Sequence, residues 1–170
     1  MFNRKVLVAL ICAVLAIPAI GAGQRRSAQS GPAETMVDIT IALVVAGQPF
    51  NFGGKALGTF APKASIYEVN AQQWRVEHKG DRQSFSMTFW RPTSGSGDMF
   101  NLNCTINGKS YHVSTVKTNG GGTPEGSGQV TFTPVKPGGT FAIDAKTANG
   151  LAITGTIKCS DFKAPVEEGG

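Results

Sequence analysis

The stretch Phe100-Asn101-Leu102-Asn103-Cys104-Thr105-Ile106 decides the fold class, because apolar and polar residues alternate strictly along it. A period of two is typical of a β-strand with one buried face. The stretch ends in Asn107-Gly108, and Asn-Gly supplies the positive φ angles that a type I′ hairpin turn requires. A second run, Ile153-Thr154-Gly155-Thr156-Ile157-Lys158-Cys159, repeats the alternation. The sequence therefore predicts β-strands, two of which carry a cysteine on their apolar face.

The two cysteines of these runs are predicted to form a disulfide. Cys104 is in phase with Leu102 and Ile106, and Cys159 is in phase with the isoleucines of its own run. In an exported chain, two inward thiols on two strands would most simply pair through the core. The alternative is that both remain free and are buried as small hydrophobic side chains.

The first residues predict export. Arg4 and Lys5 precede an unbroken apolar run at residues 6–17, and Pro18 and several small residues follow. This layout is typical of a secretory signal peptide, predicted over residues 1–23. The run is shorter than the roughly 20 residues of a membrane-spanning helix, so no stable span is expected after cleavage. A lipid-anchored Cys12 and an uncleaved anchor are the alternatives. The predicted location is the periplasm of a bacterium or the medium outside it.

The rest of the chain is predicted to hold one domain. Residues 24–34 are polar and are expected to be a flexible lead-in, residues 35–163 a single β domain, and residues 164–170 a disordered tail. The net charge of +5 is carried partly by the first residues, and the remaining charges are scattered singly. Without a basic run or stripe, the domain is not expected to bind nucleic acid.

The spacing of the β-runs predicts an all-β fold. About eight or nine short runs follow one another with short turns, which favour antiparallel neighbours. The expected architecture is an antiparallel β-sandwich or a closed or half-open barrel, and the predicted disulfide favours the sandwich. Residues 50–52 are expected to be a short strand stopped by Gly53-Gly54, and residues 57–69 to be irregular.

The motifs of common catalytic, metal and cofactor sites are missing from the sequence. No Gly-x-Ser-x-Gly elbow occurs, and the Gly108-Lys109-Ser110 triplet lacks the earlier glycine of a phosphate-binding loop. The two histidines, His78 and His112, stand far apart and complete no ligand set for a metal ion. The sequence therefore predicts no catalytic residues, no metal and no cofactor.

One group of residues is a candidate for ligand binding. Trp90 alternates onto the polar face of its run and stands beside Arg91, so the two are predicted to form a stacking platform for a sugar or another flat ligand, with Tyr67 lining the same cleft. The alternative is that Trp90 turns inward or covers the edge of the sheet. Trp74 is a second candidate for lining this cleft, but it is in phase with Val76, which favours a place in the core.

Several of these residues carry a resemblance to known families. The span Ser65-Ile66-Tyr67, Trp74, Phe89-Trp90-Arg91-Pro92, Gly97-Asp98 and Ile153 to Cys159 resembles uncharacterised small exported β-domain proteins of bacteria. More distantly, the glycine-rich hairpins and the last strand, which ends in Cys159, resemble the mycobacterial 19 kDa lipoprotein antigen family. The lipid-anchor cysteine of that family is missing at the signal boundary. Neither resemblance implies particular functional residues.

The leading functional prediction is an exported, non-enzymatic binding or cell-envelope accessory domain. Its partner would be an unidentified small molecule, glycan or protein, held by loops on a rigid sheet. A second hypothesis is an inhibitor of a secreted enzyme that presents the loop at residues 118–126. A third, less favoured, is a hydrolase that uses His78 or His112 as its base.

Overall fold

The structure, a computed structural model, describes residues 35–165. The predicted signal peptide (1–23), the predicted lead-in (24–34) and residues 166–170 of the predicted tail lie outside the described residues.

Within residues 35–165, nine strands form a single antiparallel sheet, which confirms the all-β prediction. In spatial order the sheet runs β6-β5-β4-β3-β2-β1-β9-β8-β7. Of the two predicted architectures, the nearly closed barrel is the one observed. The strands are β1 (Met36–Val45), β2 (Gln48–Ile66), β3 (Val69–His78), β4 (Gln83–Pro92), β5 (Met99–Ile106), β6 (Lys109–Ser114), β7 (Ser127–Val135), β8 (Gly138–Lys146) and β9 (Ala152–Cys159).

The gap between β6 and β7 follows from the odd number of strands. Because neighbours alternate in direction, the first and last of nine strands run the same way and cannot form an antiparallel ladder. The segment at residues 115–126 reverses between them instead. Ser114 and Glu125 exchange two backbone hydrogen bonds of 2.8 Å each across this gap. This bridge is what brings the sheet close to closure.

The inner face of the sheet is filled by side chains rather than by a tunnel. β1 shows the rule, because every second residue from Val37 to Val45 is at most 3% exposed. Each fully buried large apolar side chain contributes about 1.5–3 kcal/mol to the free energy of unfolding. The largest side chains that are less than 2% exposed include Phe50, Phe85, Phe89, Phe100, Phe141, Ile39, Ile41, Met87 and Leu102.

Strand β2 differs from the expectation of a short run followed by an irregular segment. It continues through Gly53 and Gly54, because the regular strand β1 pairs these glycines with Thr40 and Ile39. Pro62 lies where the register with β3 shifts between Ala61 and Ala64. A bulge tolerates a residue that has no N–H to donate, so proline does not end the strand.

The predicted hairpin turn after β5 is present. Asn107 has a φ of 50° and Gly108 a φ of 80°, as a type I′ turn requires. β5 and β6 pair on either side of it, from Ile106 opposite Lys109 onward.

The predicted disulfide is wrong, since Cys104 and Cys159 are both free and buried. Cys104 lies opposite Phe85 and Tyr111, whereas Cys159 lies opposite Ile39 and Gly139. β5 and β9 are not neighbouring strands, since four strands separate them in the sheet. A disulfide requires Cα atoms within about 7 Å. Both thiols lie in the core because both face inward, but they do not lie beside each other.

The buried thiols make stability sensitive to high pH. Burial raises the pKa of Cys104 and of Cys159 to about 12, whereas an unfolded thiol has a pKa of about 8.5. The contribution of the two thiols to the free energy of unfolding is therefore fully present below about pH 8.5 and is lost as the pH rises toward 12. We expect the free energy of unfolding in urea to fall by up to about 1.4 kcal/mol per pH unit and per thiol in that window.

The matched control for this prediction is the double variant Cys104→Ala/Cys159→Ala, from which that part of the pH dependence should disappear. Reduction with dithiothreitol should leave the melting temperature of the unmodified protein unchanged. A melting temperature that falls on reduction would show that the cysteines are paired.

Candidate functional site

Arg91 lies on the inner face of the sheet, where β4 ends. Phe85, Met87 and Phe89 alternate inward along this strand and are at most 1% exposed. Arg91 keeps their phase and lies opposite Gln72 of β3. Its side chain is 39% exposed. The inner face of the barrel therefore ends in a guanidinium group that solvent reaches.

The guanidinium group is held by a carboxylate and by two rings. Asp98 accepts hydrogen bonds from Nε, at 3.2 Å and 3.3 Å to its two oxygens, and from Nη2 at 2.9 Å. The guanidinium carbon lies 5.8 Å from the centre of the Trp74 ring and 5.6 Å from that of Phe89. Both distances are within the range of cation–π attraction. Arg91 thus has a fixed plane and a compensated charge.

Trp74 is the centre of a cluster of rings below Arg91. Its ring centre lies 4.7 Å from that of Phe60, 5.6 Å from that of Phe89 and 4.9 Å from that of Phe132. Phe60 and Phe132 are half-buried, whereas Trp74 is only 6% exposed. The predicted core position of Trp74 is confirmed. The cluster crosses the interior, since its members come from β2, β3, β4 and β7.

The segment after β9 adds one more ring to this cluster. Phe162 lies 5.9 Å from Phe132 and 6.1 Å from Phe141, measured between ring centres. Lys163 pairs with β2, accepting from the Phe60 amide at 2.9 Å and donating to the Gly58 carbonyl at 3.0 Å. Phe162 is half-buried and borders the same end of the barrel. We call Arg91, Asp98, Trp74, Phe60, Phe132 and Phe162 the Arg91 end.

Trp90 faces the opposite side of the sheet. It lies outside, between Gln73 of β3 and Met99 of β5, and is half-buried. Met99 beside it is only 4% exposed, so part of this outer surface is covered. The predicted platform of Trp90 with Arg91 is therefore divided by the sheet. Arg91 instead meets Trp74 and Phe89.

Tyr67 lies in the turn between β2 and β3 and is 52% exposed. Tyr67 and Glu68 have φ angles of 43° and 67°, a left-handed conformation that is strained for residues other than glycine. The glycine turn at residues 120–121 packs against the tyrosine. A Cβ atom on Gly121 would lie 2.9 Å from Cδ1 of Tyr67, so this close approach requires glycine.

The two histidines lie on different strands and make different contacts. His78 stacks on Phe52 with ring centres 3.8 Å apart, and burial lowers its pKa. His112 Nδ1 is 2.7 Å from Oδ1 of Asn103, and its Nε2 is 3.6 Å from a carboxylate oxygen of Glu125. Within residues 35–165, no group of three or more His, Cys, Asp or Glu side chains is placed to hold a metal ion.

A shallow open groove of about 470 Å³ lies elsewhere, on the outer face of β1, β9 and β8. Asp38, Thr40, Lys136, Thr140 and Lys158 line it. The carboxylate of Asp38 is already paired with Lys55 at 2.9 Å. Val135 and Pro137 also line the groove, and no aromatic side chain is among its lining residues, so we place the candidate site at the Arg91 end.

Comparison with protein-family models, with curated proteins and with solved structures finds no match to this chain. Among the described residues, no helix is long and apolar enough to cross a membrane. The site therefore has to be judged from its own geometry.

The sequence identified Arg91 as a candidate but did not indicate that Asp98, Trp74 and Phe89 hold its guanidinium group. The phase of Arg91 with Phe89 was a usable signal, because it places the guanidinium inside rather than beside Trp90. Asp98 gave a weaker signal, as an acidic residue that follows a loop of glycine and serine. Nothing in the sequence indicates that Phe60, Phe132 and Phe162 converge.

The two tryptophans should respond differently to truncation. Trp74→Ala removes the centre of the ring cluster and should lower the free energy of unfolding by about 3–5 kcal/mol. Trp90→Ala removes a half-buried outer ring and should cost less than about 2 kcal/mol. Urea denaturation followed by circular dichroism measures both. Equal losses would show that Trp90 is as much a part of the core as Trp74.

Proposed function

We propose that this chain is an exported, non-enzymatic binding domain of the cell envelope, located in the periplasm or outside the cell, and that its ligand binds at the Arg91 end. The observation that carries the proposal is Arg91 itself. It is a half-exposed guanidinium held by Asp98 over Trp74 and Phe89, where the filled interior of the barrel meets solvent.

The surroundings of Arg91 favour binding. Asp98 and the two rings fix the guanidinium plane before any ligand arrives, and preorganisation of this kind lowers the cost of binding. Phe60, Phe132 and Phe162 offer partly exposed ring surface at the same end. Arg91 and Asp98 already satisfy each other's charges, which suits them to recognition better than to proton transfer. Export rests on the signal-like residues 1–23.

The proposal predicts that a ligand depends on Arg91. Protein purified from the exporting cell without unfolding should show a larger native mass than denatured mass. If the ligand is lost on purification, incubation with the small-molecule extract of the same cells should restore the added mass. Arg91→Ala should lose it, because neither Trp74 nor Asp98 can replace the donors of the guanidinium group.

Arg75→Ala is the matched control for this experiment. Arg75 also pairs with a carboxylate, that of Glu77 at 2.6 Å, but it lies on the exposed side of β3. This variant should keep the added mass. The proposal fails if Arg91→Ala retains the ligand, or if the unmodified protein gains no mass from its own cell extract.

A second candidate function is inhibition of a secreted enzyme by the loop at residues 118–126. The observation that favours it is that backbone hydrogen bonds anchor an exposed loop. Thr118 and Gly121 exchange two backbone hydrogen bonds of 2.8 Å and 3.3 Å, and the Ser114–Glu125 bridge holds the far end. Asn119, Thr123 and Pro124 remain exposed between these anchors. An inhibitory loop gains affinity when it is fixed before it binds.

Titration against a panel of secreted proteases and glycosidases tests this second function. Inhibition at micromolar concentration is expected, and it should weaken at least tenfold when Thr123 and Pro124 are both replaced by glycine. Arg91→Ala should leave the inhibition unchanged, which separates the two functions. Absence of inhibition across the panel would count against the second function alone.

A further inference from the structure

We infer that the ligand of the Arg91 end is an uncharged saccharide, an inference that rests on the binding function proposed above. Three features of the Arg91 end support it: the cancelled charge of Arg91, the adjacent hydrogen-bond donors and acceptors, and the partly exposed rings.

The charge of the site is balanced before a ligand arrives. Asp98 contacts the guanidinium group at 2.9–3.3 Å, and the two side chains are 39% and 36% exposed. A lone arginine attracts carboxylates and phosphates, often through two parallel hydrogen bonds. Here Asp98 already accepts from that edge of the guanidinium, and a second anion would be repelled by it. The site therefore disfavours acidic ligands relative to neutral ones.

The pair offers donors beside acceptors. Of the five N–H groups of a guanidinium, the two on Nη1 take no part in the contacts with Asp98. An ionised carboxylate has about four acceptor positions, so Asp98 can accept further hydrogen bonds as well. A hydroxyl group both donates and accepts. Neighbouring hydroxyls of a sugar ring can therefore accept from Arg91 and donate to Asp98 at the same time.

The aromatic rings of the Arg91 end can pack against the apolar part of a sugar's surface. A pyranose ring carries C–H groups on its faces, and these pack against aromatic side chains. Phe60, Phe132 and Phe162 are half-buried around Trp74 and provide such a surface. A fatty chain would instead need an apolar tunnel. The interior of the described barrel is filled by side chains such as Phe89 and Phe141, both 0% exposed.

The loop that carries Asp98 is anchored to the sheet. The Thr93 amide donates to the carbonyl of Asn70 at 3.0 Å, and its hydroxyl donates to the same oxygen at 3.2 Å. Asp98 immediately precedes β5, which starts at Met99. Arg91 thus lies within β4, and Asp98 lies next to β5. A rigid donor–acceptor pair distinguishes ligands by the arrangement of their hydroxyl groups.

The experiment measures binding of neutral and acidic sugars to the full chain. Cellobiose, maltose and N,N′-diacetylchitobiose are the neutral probes, and digalacturonic acid is the acidic probe, each followed by isothermal titration or by saturation-transfer NMR. At least one neutral probe should bind at least tenfold more tightly than the acidic one. Asp98→Asn leaves Arg91 uncompensated and should shift the ratio of affinities toward the acidic probe by tenfold or more.

Two further variants keep the test decisive. Glu77→Gln neutralises the carboxylate of the Arg75 pair on β3 and should leave the ratio unchanged. Arg91→Lys keeps the charge but loses the planar group and its two Nη1 donors, and it should weaken binding of the neutral probe at least tenfold even if Asp98→Asn does not fold.

The outcomes separate the ligand class from the function. Three results would overturn the inference of an uncharged saccharide. They are a preference of the unmodified protein for the acidic probe, an Asp98→Asn variant with an unchanged ratio of affinities, and no binding of any probe. If the native mass still shows an Arg91-dependent ligand, the proposed binding function stands without it. If that added mass also fails to appear, both the saccharide inference and the proposed binding function are overturned.

Discussion

The packing of Trp74 across the interior is the interaction on which the rest of the structure depends. Nine strands that follow one another as neighbours can form an open sheet as easily as a barrel. The ring of Trp74 on β3 lies 4.9 Å from that of Phe132 on β7, although four strands separate them in the sheet. These ring contacts form only when the opposite sides of the sheet are close together. Because close packing of the interior stabilises the fold, the rings hold the sheet in its curved form.

The same packing explains how the ends of the barrel differ. At one end, the inner face finishes in Arg91, whose guanidinium lies on the edge of the ring cluster and is neutralised by Asp98. An uncompensated charge at the border of an apolar core would be costly, so the ion pair lets the core end there in a polar group. A functional site at this end therefore has a structural origin. The arrangement that closes the core also presents donors, acceptors and rings to solvent.

The gap between β6 and β7 and the strained Tyr67 turn are linked in a similar way. The segment at residues 115–126 must reverse between two strands that run in the same direction, and its glycines allow it to lie against Tyr67 and to fold back onto its own Val116. Tyr67 and Glu68 keep left-handed angles in a turn where glycine or asparagine would be less strained. The contact between this turn and the glycine segment fixes a loop that nine strands alone would leave unsupported.

The sequence by itself determined the strands, most of the turns and the inward residues of the barrel. Alternation assigns a side chain to a face from its neighbours along the chain alone, which is why Phe85, Trp74 and Cys104 were predicted inside and the Asn107-Gly108 turn was predicted correctly. It also proposed Arg91, though with Trp90 as its partner. Only the tertiary structure decided which inward residues meet. Cys104 and Cys159 remained apart, and Asp98, Trp74 and Arg91 came together, because contacts across a barrel depend on strand order and closure, which no local pattern encodes.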